Sequence, residues 1–140
     1  MNHKFKAKQR DTLLARLKNY NLVILSINKT NNKPGENFGI TSEGQAFIDT
    51  LYKRKQTVTV LFSNPYLLGK INGLEKNSAV IQAYEYNSFS QKAAADAIFG
   101  AIKVNGKLPV TSGIYKLYTG IEIKEIKRTK QVSPAQIGIS

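Results

Sequence analysis

Side chains able to do acid–base or nucleophilic chemistry are few in this sequence, and they are scattered. The only histidine, His3, stands in a polar leader with no acidic neighbour at a fixed spacing. That placement suits a chain terminus better than a general base. Glu36, Glu43, Asp49, Glu75, Glu85 and Asp96 occur singly, and Glu43 and Asp49 fall on a helical stretch where solvent is their natural partner. There is no cysteine, which removes disulfides, thiolate metal sites and cysteine nucleophiles together. Gly69-Lys70 and Gly106-Lys107 are not preceded by a phosphate-binding loop, and neither a GxGxxG turn nor a Gly-x-Ser-x-Gly elbow is present. No complete catalytic site, cofactor or metal centre is expected. Glu85 is the one acidic residue to watch, because it follows a strand at the point where open α/β sheets place their ligand-binding loops. A loop or interdomain contact is the favoured reading for it over catalysis.

Amides and aromatic rings are better represented at such points. Asn28, Asn31 and Asn32 sit in a long polar loop, Asn64 and Tyr66 in a second, and Tyr86 beside Glu85 in a third. They offer amide hydrogen bonds and aromatic faces, a chemistry that suits sugars. The competing reading is helix capping and turn formation. Asn64, directly before Pro65, favours capping. The loop over 28–39 leaves both readings open, since loops this long are often functional.

The elements that must position these loops follow from periodicity. Leu13, Leu14, Leu17 and Tyr20 share one helical face, predicting a helix over 8–20. Leu22-Val23-Ile24-Leu25-Ser26-Ile27 is a continuous apolar run, as in a strand covered on both faces of a parallel sheet. Ser42-x-x-Gln45 has the form of a capping box opening a helix with Phe47, Ile48, Leu51 and Tyr52 as its apolar stripe. The β-branched run over 57–62 and the run over 79–84 read as further strands. A short helix after Asn64 ends near Asn72-Gly73, and Ser88-x-x-Gln91 opens an alanine-rich helix.

This alternation predicts an α/β fold: a three-layer α/β/α sandwich, flavodoxin-like, with a mostly parallel sheet. The order opens on a helix and holds three strands, so the sheet reads as beginning partway, short of its first strand or strands. The domain is expected over 1–120 and a linker over 121–140.

The chain has 140 residues, enough for one core, with 41% hydrophobic content. No apolar run approaches the roughly 20 residues of a membrane helix. The N-terminal stretch has no apolar h-region, so no secretory signal is expected within it. Lys and Arg number 21 against 9 Asp and Glu, a formal charge of +12. The basic residues gather towards the two ends, from Lys4 to Lys18 and from Lys124 to Lys130. A basic surface on a part of a larger protein explains that distribution better than a nucleic-acid interface does, and no RRM-type aromatic-basic motif is present.

Several local motifs converge on one family. Ala93-Ala94-Ala95-Asp96-Ala97-Ile98-Phe99-Gly100 followed by Gly106-Lys107-Leu108-Pro109-Val110-Thr111 resembles the helix–turn–strand signature late in the second domain of family 3 glycoside hydrolases. Val60-Leu61-Phe62-Ser63-Asn64-Pro65-Tyr66 resembles that family's strand ending in Gly-Asn-Pro-Tyr, with Ser63 in place of the usual glycine. Asn21-Leu22-Val23-Ile24 resembles its Asp-Leu-Val-Ile strand, with Asn21 for aspartate. The style is closer to the bacterial β-N-acetylglucosaminidase branch than to the plant glucan exohydrolases. Pro134 to Ser140 is similar to the lead-in to the serine-β-lactamase-like domain that follows in some relatives.

The resemblance implies a non-catalytic accessory domain packed on an N-terminal (β/α)8 barrel. That barrel carries the nucleophilic aspartate and, in this branch, a His–Asp acid/base pair. Glycoside hydrolysis generally uses two carboxyl groups about 5 to 9 Å apart, and in this branch the resemblance implies that the His–Asp pair on the barrel stands in for the acid/base one. The domain would help wall the carbohydrate cleft, with Asn28, Asn31, Asn32, Asn64, Tyr66, Glu85 and Tyr86 at the cleft or the domain interface. Some glucan-hydrolysing members take an acid/base glutamate from the second domain, which is why Glu85 stays a candidate. The parent protein is expected in the periplasm or outside the cell. The alternative is a basic binding module for nucleic acid or an anionic cell-wall polymer.

Overall fold

The computed structural model describes residues 7–126. His3, the basic cluster at 127–130 and the lead-in from Pro134 to Ser140 lie outside the described residues. Three strands, β1 (Leu22–Ile27), β2 (Gln56–Leu61) and β3 (Ala79–Gln82), form an all-parallel sheet in the order β1-β2-β3. The register sets Leu22 opposite Gln56 and Ile27 opposite Leu61, then Val58 opposite Ala79 and Leu61 opposite Gln82. Residues paired in this way share a face, so the register sorts the core into two halves.

One face carries Val60, Phe62 and Ile81, and α3 (Ser88–Ile98) covers it with Ala94 and Ile98. The other carries Ile27, Leu61 and half-buried Leu25 and Val80. Ile48 and Tyr52 of α2 (Ser42–Arg54) cover this second face, together with Phe38, Leu67, Leu68, Ile71, Leu74 and Leu108 from the connecting segments. Helices therefore lie on both faces, and the architecture is the expected α/β sandwich. Each fully buried leucine in it, such as Leu61 or Leu67, contributes about 1.5–3 kcal/mol.

The central strand also buries two threonines, and their hydroxyls are satisfied. Thr57 donates to the carbonyl of Lys55 at 3.2 Å. Thr59 donates to Asn77 Oδ1 at 2.8 Å, and Tyr52 lies 3.0 Å from the same threonine oxygen. Because Thr59 spends its one proton on Asn77, Tyr52 is the donor in that second bond. Asn77 in turn donates to the Leu74 carbonyl at 3.0 Å. This chain ties α2, β2 and the segment before β3 together across the covered face.

Several expectations shift. β1 is covered on one face only: Leu22 and Ile24, on the other face, are 49% and 48% exposed. Its uninterrupted apolar run has the composition of an interior strand, but its outer edge has no hydrogen-bonded neighbour among the described residues. The first helix, α1, is Ala7–Arg16 and tightens into a 3-10 turn over Leu17–Asn19. Neither expected capping box forms. Thr41, not Ser42, caps α2 through a bond from Gly44 N at 3.1 Å. Asn87, not Ser88, caps α3 through a bond from Ser90 N at 2.8 Å. In both cases the preceding residue is itself a good cap, and moving the start by one puts Gln45 and Gln91 out of the third helical position that a box needs.

α3 ends in a Schellman turn. Ala101 N bonds Asp96 O at 2.7 Å and Gly100 N bonds Ala97 O at 3.2 Å, with Gly100 left-handed at φ 69°. The chain then returns on itself. Val104 and Ile123 form an antiparallel bridge, Leu108 and Tyr118–Thr119 exchange two backbone bonds of 2.8 Å, and Ile126 N bonds Gly100 O at 2.8 Å. Residues 121–126, read from sequence as the start of a linker, thus run back alongside the end of α3.

Candidate functional site

Parallel strands send their connections out at one end, and the candidate residues lie there. Each owes its position to a local device. Asn28 donates to Ser26 Oγ at 3.2 Å. Asn31 closes its own loop, accepting from Lys33 N at 3.0 Å and donating to Glu36 Oε2 at 3.0 Å. Lys33 reaches the same carboxylate at 2.9 Å. Asn32 is exposed. Asn64 caps a short 3-10 helix, Pro65–Gly69, by accepting from Tyr66 N at 3.1 Å. Here the capping reading of the amide holds.

Glu85 is exposed, and its carboxylate accepts from Asn87 Nδ2 at 2.9 Å. Since Asn87 Oδ1 is the α3 cap, Glu85 orients the capping amide. Tyr86 sets its ring edge-on to Phe62, with centroids 5.7 Å apart at 75°. Among the described residues, no group of three His, Cys, Asp or Glu is placed to hold a metal ion.

The structure brings one candidate into a cavity. Tyr66, 51% exposed, stands on the rim of a space of about 470 Å³ with Pro34, Phe38, Lys70, Thr111 and the Ser112-Gly113 pair. Asn28, Asn31, Asn32, Asn64, Glu85 and Tyr86 do not line it, so Tyr66 alone of the candidates reaches this cavity. No carboxylate lines the cavity. Its walls are aromatic and apolar, with one ammonium group.

Its floor is built by a long-range contact. A Cβ on Gly69 would come within 2.6 Å of Gly113 N, so the two backbones touch. Gly113 itself is left-handed, at φ 58°. Buried Ser112 fixes this approach, accepting from Gly69 N at 2.9 Å and donating to Tyr66 O at 3.0 Å. In sequence, Gly69-Lys70 suggests only a phosphate loop, and no spacing marks Ser112-Gly113 as its partner. A small-residue pair after the Leu108-Pro109-Val110 stretch was the available signal.

Backbone strain gathers at the same end of the sheet. Four of the five described non-glycine residues in the left-handed region, Lys29 (φ 55°), Asn37 (φ 51°), Phe38 (φ 56°) and Tyr84 (φ 61°), lie in the connections that leave β1 and β3, and the fifth is Tyr118 (φ 65°). Such conformations cost about 1 kcal/mol or more each and concentrate where function constrains the chain. Burial raises the Tyr52 hydroxyl above its ordinary pKa of 10.0, outweighing its hydrogen bonds to Thr59 and Asn77. Burial likewise raises Tyr115, with the nearby negative charge of Glu75 adding to the effect, and the Tyr115 hydroxyl has no hydrogen-bond partner among the described residues.

Among the described residues no helix is long and apolar enough to cross a membrane. No curated protein and no solved structure matches the chain. A family model does match: the glycosyl hydrolase family 3 C-terminal domain, over residues 2–132.

Proposed function

We propose, from the fact that this chain belongs to the glycosyl hydrolase family 3 C-terminal domain family, that it works as a non-catalytic partner of a carbohydrate-cleaving barrel. A C-terminal domain of this family has an N-terminal catalytic domain as its counterpart. In our reading the strand ends of this chain face that counterpart and form part of the wall of its carbohydrate cleft, in an enzyme of the β-N-acetylglucosaminidase type. The observation that carries the reading is the extent of the family match, which takes in all three post-strand loops. The cavity at Tyr66, free of carboxylates and open to solvent, supports it: the wall of a cleft needs shape and hydrogen-bonding edges, not acids. Glu85, occupied with the α3 cap, is assigned an interface role and not proton transfer.

Titrating the chain into a family 3 barrel whose own second domain has been removed tests this reading. A saturable one-to-one complex in sedimentation velocity is expected. Failure to associate at micromolar concentrations would contradict it.

A further inference from the structure

The cavity behind Tyr66 has an unusual balance of walls for a protein this basic. Its side walls are apolar: Pro34, and Phe38, which is almost fully buried. Its rim holds one exposed aromatic ring, Tyr66, and one cation, Lys70. The Lys70 ammonium makes no hydrogen bond or ion pair among the described residues, and no acid lines the cavity to neutralise it. Thr111 Oγ1 accepts from Leu117 N at 3.0 Å, which leaves its own proton free to donate.

An occupant matched to these walls has three features: a flat CH face to lie on Tyr66, a hydroxyl to accept from Thr111, and one negative charge for Lys70. Phosphate fits poorly, because a single cation over apolar walls supplies too few donors, and Gly69 N, the obvious amide, is already spent on Ser112. A pyranose bearing one carboxylate meets all three demands. We propose that this cavity is a subsite for an acidic saccharide, with Tyr66 stacking the ring and Lys70 pairing the carboxylate. The carbohydrate assignment rests on the cleft-wall reading above; the acidic character rests on Lys70.

The test uses the full chain. Glucuronate is titrated against isotopically labelled protein and followed by amide NMR, with glucose and acetate as separate probes. Glucuronate is expected to shift Tyr66 to Lys70 and Thr111 to Gly113 saturably. Glucose is expected to bind at least tenfold more weakly, and acetate to produce no saturable shift at these residues. Lys70→Met and Tyr66→Ala change exposed side chains, so the fold is retained, and each should weaken glucuronate at least tenfold. Equal binding of glucuronate by Lys70→Met, equal response to acetate, or no shift in the cavity would each overturn the subsite. The barrel titration decides the accessory role separately, since it needs no free sugar.

Discussion

Alanine at Gly69 tests whether the cavity floor is held as the structure indicates. Gly69 does not adopt a left-handed conformation, so its backbone accepts alanine without torsional strain. In open space the change would be neutral or would stabilise by about 0.4–1 kcal/mol, through lost freedom in the unfolded chain. Here the new methyl meets the backbone of one facing segment: Gly113 N at 2.6 Å, Gly113 Cα at 3.0 Å and the Ser112 carbonyl carbon at 3.1 Å. Backbone cannot rotate away as a side chain can, so the 111–113 segment must move. Overpacking of this kind costs about 1–3 kcal/mol. The movement also breaks the two Ser112 bonds of 2.9 and 3.0 Å, at about 1 kcal/mol each. We expect a net loss of about 2–4 kcal/mol, read as a lower urea midpoint at unchanged slope. Gly106→Ala, with nothing within 4 Å, is the control and should lie within about 0.5 kcal/mol of the parent or above it. Ser112→Ala should cost little more once Gly69→Ala is present, because the same contact is already lost. Wild-type stability for Gly69→Ala, or full additivity with Ser112→Ala, would refute the reasoning.

Other expectations follow from the same bonds. The folded state keeps Tyr52 protonated above its ordinary pKa, so its stabilising effect is intact below pH 10.0 and is lost as pH rises from there through the folded value. Tyr52→Phe should therefore fall less steeply in urea midpoint between pH 9 and 11, and an unchanged slope would contradict this. Asn87→Ala removes the α3 cap and should cost about 1 kcal/mol in thermal or urea melts, whereas Glu85→Gln should cost less than half as much; a larger effect at Glu85 would reverse their order. Gly100→Ala must hold alanine at φ 69° and place its methyl 2.5 Å from Ile126 Cδ1. It should cost about 1–2 kcal/mol and speed hydrogen exchange at Ile123 and Ile126, which return to that site. Protection of those amides equal to wild type would count against the return of the chain.

What could be read from the sequence were features set by neighbouring residues. The Asn64-Pro65 cap and all three strands were visible because capping and β-branched runs act over a few positions. The caps at Thr41 and Asn87 were missed by one residue because the adjacent serines carry equally good local chemistry; the structure decides between them through which amide lies free. The edge position of β1 is legible in an element order that begins partway, but the exposure of one of its faces is hidden by its own composition, since a run such as Leu22 to Ile27 has the makeup of a strand covered on both faces. The cavity was the least visible feature. Tyr66 was singled out, but Lys70, Thr111 and the Ser112-Gly113 floor join it only through the Gly69–Gly113 contact, which links segments far apart in the chain and leaves no periodic trace. Glu85 lies in the loop after β3, and its bond to Asn87 gives it a structural task that spacing does not suggest.

The central claim, that this chain serves a glycosidase without supplying its chemistry, is tested most directly by turnover of an aryl β-N-acetylglucosaminide. The assay compares the chain alone, a family 3 barrel deprived of its second domain, and the two mixed. We expect no turnover above background for the chain alone and a clear gain for the mixture over the barrel alone, retained with Glu85→Gln. Turnover by the chain alone that survives repurification and disappears with Glu85→Gln would contradict the account.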